Sequence, residues 1–165
     1  MDSMRPRLQI IRGLPGSGKT TLALKQYSHL LRLETDMYFY SKGAYRFTME
    51  RNTEAVKWFK EEVANLCSRE VDFVVTGVFA AHTERLNYVI DIAIDRGYEV
   101  YIKTLTTQYK GIHAVPKEHF NAMKESFVSD RQLHQLYPSW GFHHVHFGLM
   151  SKGMTLEHLK KGKSK

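Results

Sequence analysis

The chain has 165 residues, of which 42% are hydrophobic, 12% aromatic and 25% charged. This length and composition predict one compact globular domain and exclude a largely disordered chain. No run approaches the roughly 18 apolar residues of a membrane-spanning helix, and a single cysteine, Cys67, cannot form an internal disulfide. The first residues lack the apolar stretch of a signal peptide, so we expect a reducing, cytoplasmic location and no membrane partner.

The formal net charge of +7 is concentrated at one end of the chain. Four lysines lie in the last six residues: Lys160, Lys161, Lys163 and Lys165. We therefore assign residues 1–150 to the domain and residues 151–165 to a basic tail, which is a solubilising end or, alternatively, a binding arm. The moderate basicity of the remainder favours a polyanionic or nucleotide partner.

Short apolar runs alternate with amphipathic segments along the chain. The runs predict strands at residues 8–13, 31–35, 72–79, 98–105 and 140–150. The amphipathic segments predict helices from the first strand's loop to about residue 31, then at 52–68, at 83–96 with Gly97 as its stop, and at 115–128 with Pro116 in the first turn. This order predicts an α/β domain with a parallel sheet of about five strands and helices on both faces.

The stretch GLPGSGKTT, residues 13–21, carries the strongest chemical signal. It matches G-x-x-x-x-G-K-[ST], the Walker A pattern, and lies between a predicted strand and a predicted helix. The glycines let backbone N–H groups converge on an anion, and the helix start adds a positive dipole end. Lys19 is predicted to reach the β- and γ-phosphates and Thr20 to bind magnesium. The full set of predicted nucleotide-binding residues in this loop is Gly13, Pro15, Gly16, Ser17, Gly18, Lys19, Thr20 and Thr21.

Asp36 follows the second predicted strand. The carboxyl ends of neighbouring parallel strands share one crevice, so a carboxylate there could face the γ-phosphate. Such a group could accept the proton of an attacking hydroxyl. The alternative that spacing alone leaves open is an N-cap of the following turn.

Aromatic residues crowd the connection after Asp36. These residues are Tyr38, Phe39, Tyr40, Tyr45 and Phe47. Together with Phe79 they are predicted to form a wall that stacks against a base, and the alternative is a local hydrophobic cluster. His82, at the end of the third predicted strand, is a candidate acceptor contact or a plain surface residue. His144 and His146 share one face of the last predicted strand, where an exposed histidine cluster is the favoured interpretation and a metal site the alternative.

Six segments in a fixed order resemble a known family. The segments are GLPGSGKTTLA, ETDMYF, YRF, AVKW, DRGYEV and GIHAVPKEHFNAM, and the likeness covers about residues 8–127. They resemble the P-loop kinase domain of phage polynucleotide kinases and NEDD4-binding-protein-type kinases, with zeta-toxin-like kinases more distant. The resemblance implies magnesium-dependent transfer of the ATP γ-phosphate to a nucleic-acid hydroxyl, typically the 5′-hydroxyl. It also implies that Lys19 and Asp36 are catalytic and that Lys110 contacts the phosphates, where relatives carry a lid arginine.

The chain departs from this family mainly on the acceptor side. Phe39 stands where relatives have an arginine, residues 77–80 replace Asp-(Thr/Asn)-x-Asn, and the lid before GIHAVP is shortened to TLTTQYK. The expected activity is therefore ATP-dependent phosphorylation of a nucleic-acid 5′-hydroxyl or modified-base hydroxyl. The alternatives are a nucleoside or nucleotide kinase, a sugar-nucleotide kinase, and a nucleotide-binding protein that has lost transfer activity.

Overall fold

A computed structural model describes residues 5–34, 40–41, 44–45, 49–79, 83–107 and 117–151. The strands within these ranges are β1 (Arg7–Gly13), β2 (Leu31–Glu34), β3 (Tyr40–Ser41), β4 (Ala44–Tyr45), β5 (Phe73–Gly77), β6 (Glu99–Leu105) and β7 (Val145–Phe147). The α-helices are α1 (Lys19–Tyr27), α2 (Met49–Ser68), α3 (Thr83–Asp95), α4 (Lys117–Ser126) and α5 (Asp130–Leu136). A 3₁₀ helix covers Pro138–Phe142.

Five parallel strands form one sheet in the order β2-β5-β1-β6-β7, which confirms the predicted α/β class and strand number. Strands β3 and β4 form a separate antiparallel pair. The chain winds to opposite sides of β1, since β5 and β2 lie on one side and β6 and β7 on the other. Such a switch point leaves a crevice at the carboxyl ends of the strands. The loop after β1 opens into that crevice.

One face of the sheet carries the larger core. Its apolar side chains pack against α2, α3 and α5, because those helices place their hydrophobic stripes on this face. The buried members include Leu8, Ile10, Phe73, Val75, Val100 and Ile102 from the strands and Phe59, Val63, Leu86, Ile90 and Leu133 from the helices. This layer holds β1, β5 and β6 rigidly beneath the crevice.

The opposite face is covered by α1. Ile11, Val74, Ala23, Tyr27 and Met150 form its buried cluster. The Tyr27 hydroxyl donates to the Met150 carbonyl over 2.7 Å, so the chain after β7 is tied to α1. Along each strand, residues that face α1 alternate with residues that face the larger core.

The predicted C-terminal end of α3 agrees with the structure, and the predicted C-terminal end of α1 does not. Gly97 has a φ of 80°, and Tyr98 N–H donates to the Ala93 carbonyl over 2.9 Å. This geometry confirms Gly97 as the stop of α3. The first helix was predicted to reach about residue 31 but ends at Tyr27, because Leu30 N–H turns back to the Tyr27 carbonyl and β2 begins at Leu31.

The end of the domain differs most from its prediction. Only Val145–Phe147 of the predicted strand at 140–150 is β-structure, and Trp140 lies in the 3₁₀ helix. Its ring stacks on Tyr137 at 4.6 Å and its Nε1–H donates to Asn87 Oδ1 over 3.0 Å. Helix α5 was not predicted, although its capping box, Ser129 with Gln132 three residues later, is visible in the sequence.

Within the described ranges, none of the helices is both long and apolar enough to cross a bilayer. The predicted tail, apart from Ser151, lies outside the described residues.

Candidate phosphate-binding site

The loop between β1 and α1 turns on two glycines with left-handed backbone. Gly16 has a φ of 80° and Gly18 a φ of 93°. The turn is closed by Ser17 N–H, which donates to the Leu14 carbonyl over 3.0 Å. L-residues with a side chain adopt such φ values at a cost, so the motif's glycines meet a backbone requirement here.

Gly13 is required for a different reason, the closeness of its neighbours. A Cβ at this position would lie 2.4 Å from Ser17 Oγ and 3.1 Å from the Leu105 carbonyl oxygen. The end of β1 is thus in direct contact with the loop it feeds and with the end of β6. Any side chain at position 13 would push the loop outwards.

The first turn of α1 has no side-chain cap. Gly18 is the N-cap residue, and neither a capping side chain nor an acidic residue is found in the first turn. The N–H groups at a helix start have no intrahelical acceptor and carry the positive end of the helix dipole. This end of α1 therefore suits a phosphate group, whose oxygens accept from several N–H groups at once.

Lys19 extends back over the loop. Its Nζ donates to the Gly13 carbonyl over 2.8 Å and to the Leu14 carbonyl over 3.0 Å. These contacts hold the ammonium group against the start of the loop that leads into the uncapped helix. A phosphate bound in the loop would compete with the Gly13 and Leu14 carbonyls for the Lys19 ammonium.

Thr20 is paired with a carboxylate that the sequence analysis did not single out. Its hydroxyl donates to Glu34 Oε1 over 2.7 Å, and Arg32 Nη1 lies 3.1 Å from the same oxygen. Glu34 is the last residue of β2, two positions before Asp36. The signal in the sequence is an acidic residue at the carboxyl end of a predicted strand, which Glu34 shares with Asp36.

Thr76 lies beside Glu34 in the sheet. The two residues are register partners in β5 and β2, so their side chains are on the same face, the face covered by α1. Thr76 is 2% exposed, and its Oγ1 has no hydrogen-bond partner among the described residues. A buried hydroxyl without a hydrogen-bond partner is uncommon in native proteins and can mark a site for a water or an ion.

Arg12 precedes the loop and is fully buried. Its guanidinium donates to the Phe79 carbonyl over 3.3 Å and to the Val128 carbonyl, and it lies 3.4 Å from Asp130 Oδ1. The Phe127 ring packs against it at 4.4 Å. Burial lowers the pKa of Arg12 to about 10, partly offset by the Asp130 carboxylate, so the group stays charged at neutral pH. Arg12 thus ties the segment after α4 to the base of the phosphate loop.

Most of the predicted acceptor-side residues fall outside the described residues: Asp36, Tyr38, Phe39, His82 and Lys110. Tyr45 is described only as backbone, in β4. Their predicted roles remain predictions.

Phe79 is the acceptor-side residue whose side chain the structure describes. It was predicted to form part of an open aromatic wall, but its side chain is 7% exposed and packs in the main core, 6.4 Å from the Phe59 ring. Its φ of 45° turns the chain sharply after β5 and presents its carbonyl to Arg12. The ring is buried because that turn folds it back over α2.

The histidine cluster contacts Glu99 at the opposite end of the sheet. His144 Nδ1 lies 2.9 Å from Glu99 Oε1, and His146 Nε2 lies 2.7 Å from Glu99 Oε2. In the part of the chain that the structure describes, no group of three or more His, Cys, Asp and Glu side chains is arranged to hold a metal ion. Both histidines are about half exposed, which fits the favoured interpretation of a surface cluster.

Comparison with protein-family models finds no match. Human NEDD4-binding protein 2 is 26% identical over 132 residues, which cover 73% of this chain and 8% of that protein. Mouse 2′,3′-cyclic-nucleotide 3′-phosphodiesterase is 31% identical over 107 residues, which cover 62% of this chain and 24% of that protein. The chain therefore spans less than a quarter of the length of these curated relatives.

Solved structures resemble the chain over more of its length. A sugar kinase from Janibacter sp. superposes with a TM-score of 0.54 at 17% identity, covering 96% of this chain and 92% of the other. A chain of the Pnkp1/Rnl/Hen1 RNA repair complex gives 0.54 at 16% identity, covering 76% and 47%. A gluconokinase from Sinorhizobium meliloti gives 0.50 at 14% identity, covering 96% and 90%. At these identities the similarity concerns architecture: the chain has a P-loop kinase fold.

Proposed function

We propose that this protein is an ATP-dependent phosphotransferase that moves the γ-phosphate to a hydroxyl group of a nucleic acid. The observation that carries the proposal is the loop at residues 13–18, where left-handed glycines, an uncapped helix start and the Lys19 ammonium lie together. The backbone N–H groups of such a loop, the N–H groups of a helix start and an ammonium group all bind phosphate oxygens.

The loop would hold the donor. Backbone N–H groups would bind the β-phosphate, and Lys19 would leave the Gly13 and Leu14 carbonyls to neutralise charge on the β- and γ-phosphates. The residues at hand also fit a magnesium ion, because the Thr20 hydroxyl and the Glu34 carboxylate supply oxygen ligands 2.7 Å apart. Magnesium would neutralise charge that builds up on the phosphates during transfer.

Asp36 would accept the acceptor's proton. As the acceptor oxygen forms its bond to the γ-phosphorus, the bond from that phosphorus to the β,γ-bridging oxygen breaks, ADP leaves, and the hydroxyl proton passes to the Asp36 carboxylate. Two facts support this role: Asp36 follows β2 by two residues, and β2 ends at the same end of the sheet as β1.

The choice of acceptor rests on similarity. The resemblance of the sequence motifs to polynucleotide kinases and the structural likeness to a protein of an RNA repair complex favour a polynucleotide 5′-hydroxyl, followed by a modified-base hydroxyl or a nucleoside. The sugar-kinase and gluconokinase neighbours favour a small hydroxyl compound as the alternative.

A second candidate is a nucleotide-binding protein without transfer activity. Burial of Phe79 favours it, because that ring cannot line an open acceptor wall in this conformation. The replacement of the family's acceptor-binding residues by Phe39 and residues 77–80 points the same way. In that case the bound nucleotide would act only by stabilising the fold.

The test is a transfer assay with γ-labelled ATP and magnesium. The acceptor panel contains 5′-hydroxyl DNA, 5′-hydroxyl RNA, hydroxymethyl-base DNA, nucleosides, sugar nucleotides and gluconate. We expect label on a nucleic-acid acceptor. ATP binding without label on any acceptor would favour the second candidate, and label on gluconate alone would replace the proposed acceptor class.

Asp36→Asn tests the assigned base in the same assay. The amide cannot accept the proton, so we expect the transfer rate to fall about 10²- to 10⁴-fold while ATP affinity stays near wild type. Asp95→Asn, at the end of α3, is the matched control and should keep the wild-type rate. A full rate in Asp36→Asn would disprove the assignment.

A further inference from the structure

We propose that Glu34 and Thr76, together with Thr20, form the protein's half of a magnesium site in which β2 rather than β5 supplies the carboxylate. The inference rests on the proposed function, because the remaining ligands would be nucleotide phosphates. It assigns a specific role to Glu34, which no motif identifies, and adds Thr76 to the site.

The first step is the contact between Glu34 and Thr20. A threonine hydroxyl has one proton and two lone pairs. With its proton donated to Glu34 Oε1 over 2.7 Å, Thr20 keeps its lone pairs for a cation. Glu34 Oε1 therefore orients the hydroxyl that the motif assigns to magnesium, and the second oxygen of the same carboxylate would bind the cation or one of its waters.

The second step is the position of Thr76. It sits between Ile11 of β1 and Glu34 of β2 in the register, on the face covered by α1. Neighbouring strands are about 4.8 Å apart, so its side chain lies next to that of Glu34. Its buried Oγ1 lacks a partner among the described residues, so its proton is available to the neighbouring Glu34 carboxylate when a cation is bound.

The third step is the carboxylate count. Magnesium keeps several waters and takes one or two carboxylates in addition to substrate phosphates. Strand β5, beside the phosphate loop, ends in Thr76 and Gly77 and brings no carboxylate to this end of the sheet. The carboxylate comes from the next strand outwards, where Glu34 reaches Thr20 across the buried Thr76.

The fourth step is charge. The nucleotide and Glu34 are both anionic, and Arg32 offsets part of the Glu34 charge at 3.1 Å. A divalent cation between the carboxylate and the phosphates would remove their repulsion. Glu34 should thus favour nucleotide binding with metal and disfavour it without metal.

The test measures metal affinity directly. Mn²⁺ is titrated into the complex with a non-hydrolysable ATP analogue and followed by electron paramagnetic resonance; analogue affinity is measured separately in EDTA. For Glu34→Gln we expect Mn²⁺ affinity to fall about 10- to 100-fold. Analogue affinity in EDTA should be unchanged or higher, since a repelling charge is removed. For Thr76→Val we expect a loss of about 2- to 10-fold.

Glu99→Gln is the matched control. Its carboxylate is also paired and has a side-chain exposure of 22%, against 21% for Glu34, but it lies at the other end of the sheet. We expect wild-type Mn²⁺ affinity from it. Circular dichroism checks the fold of each variant, and Thr76→Val, which keeps the side-chain shape, serves if Glu34→Gln does not fold.

The outcomes separate the two proposals. Wild-type Mn²⁺ affinity in a folded Glu34→Gln or Thr76→Val variant overturns the magnesium-site inference and leaves the proposed function standing. Failure of the wild-type protein to bind the ATP analogue, with or without metal, overturns the proposed function itself.

Discussion

The two ends of the five-stranded sheet differ in whether their polar groups have hydrogen-bond or ion-pair partners. At the amino end, Asp72 accepts from the Arg7 backbone and guanidinium, and Glu99 contacts both His144 and His146. At the carboxyl end, Ser17 Oγ and Thr76 Oγ1 are buried without a partner among the described residues. The uncapped start of α1 is found there as well.

This contrast separates stability from function. Native proteins pair nearly all buried polar groups, and they depart from that rule mainly at functional sites. The amino end has surface ion pairs and satisfied hydrogen bonds, which serve the fold. The carboxyl end keeps an uncapped helix start and, among the described residues, unpaired hydroxyls, which a bound phosphate and its cation would satisfy.

Lys19→Ala gives the largest expected effect. Loss of the ammonium removes charge neutralisation from the transferring phosphate, so we expect the transfer rate in the labelled-ATP assay to fall about 10²- to 10³-fold or more. Lys25→Ala, an exposed lysine in the last turn of the same helix, should keep the wild-type rate. A wild-type rate in Lys19→Ala would contradict the assignment of phosphate transfer to the carboxyl end of the sheet.

Arg12→Met comes next. The methionine keeps apolar volume but leaves the Phe79 and Val128 carbonyls without their buried donor, so we expect a loss of about 3 kcal/mol in the free energy of unfolding by urea. The control is Arg5→Met at the amino end, where the side chain is 48% exposed and 4.0 Å from Glu99. That change should cost under about 1 kcal/mol. Equal losses in the two variants would contradict the importance of the buried arginine.

Gly13→Ala should act locally. The added Cβ would meet Ser17 Oγ at 2.4 Å and force the loop apart, at a cost of about 1–3 kcal/mol with weaker ATP binding. Both are measured, by urea unfolding and by titration calorimetry. Gly141→Ala is the matched control, because a Cβ there meets nothing within 4 Å. Unchanged ATP affinity in Gly13→Ala would argue against the close packing of the loop.

Glu99→Gln should have the smallest effect. Its two histidine partners are about half exposed, and exposed ion pairs contribute under about 1 kcal/mol. We expect a loss below that value in urea unfolding and no change in transfer rate. A loss of several kcal/mol would mean that the amino end holds a more strongly coupled network than its exposure indicates.

Several features could be predicted from sequence because their signals are local. The phosphate loop follows from the spacing of its glycines, and Gly97 ends α3 because only glycine adopts that backbone cheaply. The five-stranded parallel sheet follows from short apolar runs alternating with amphipathic helices. The missed helix α5 also had a local signal, since Ser129 and Gln132 form its capping box.

Other features depend on which distant residues the fold brings together. Arg12 contacts residues 67 to 118 positions away, and Phe79 turns into the core because the chain bends sharply after β5. Glu34 meets Thr20 only because β2 lies two strands from β1 under the start of α1.

By itself the sequence determined the turn of the glycine-rich loop at residues 13–18, since that turn depends on neighbouring residues and their allowed dihedral angles. The tertiary structure alone decided which carboxylate and hydroxyls stand beside that loop, because strand order and register, rather than spacing along the chain, set those distances.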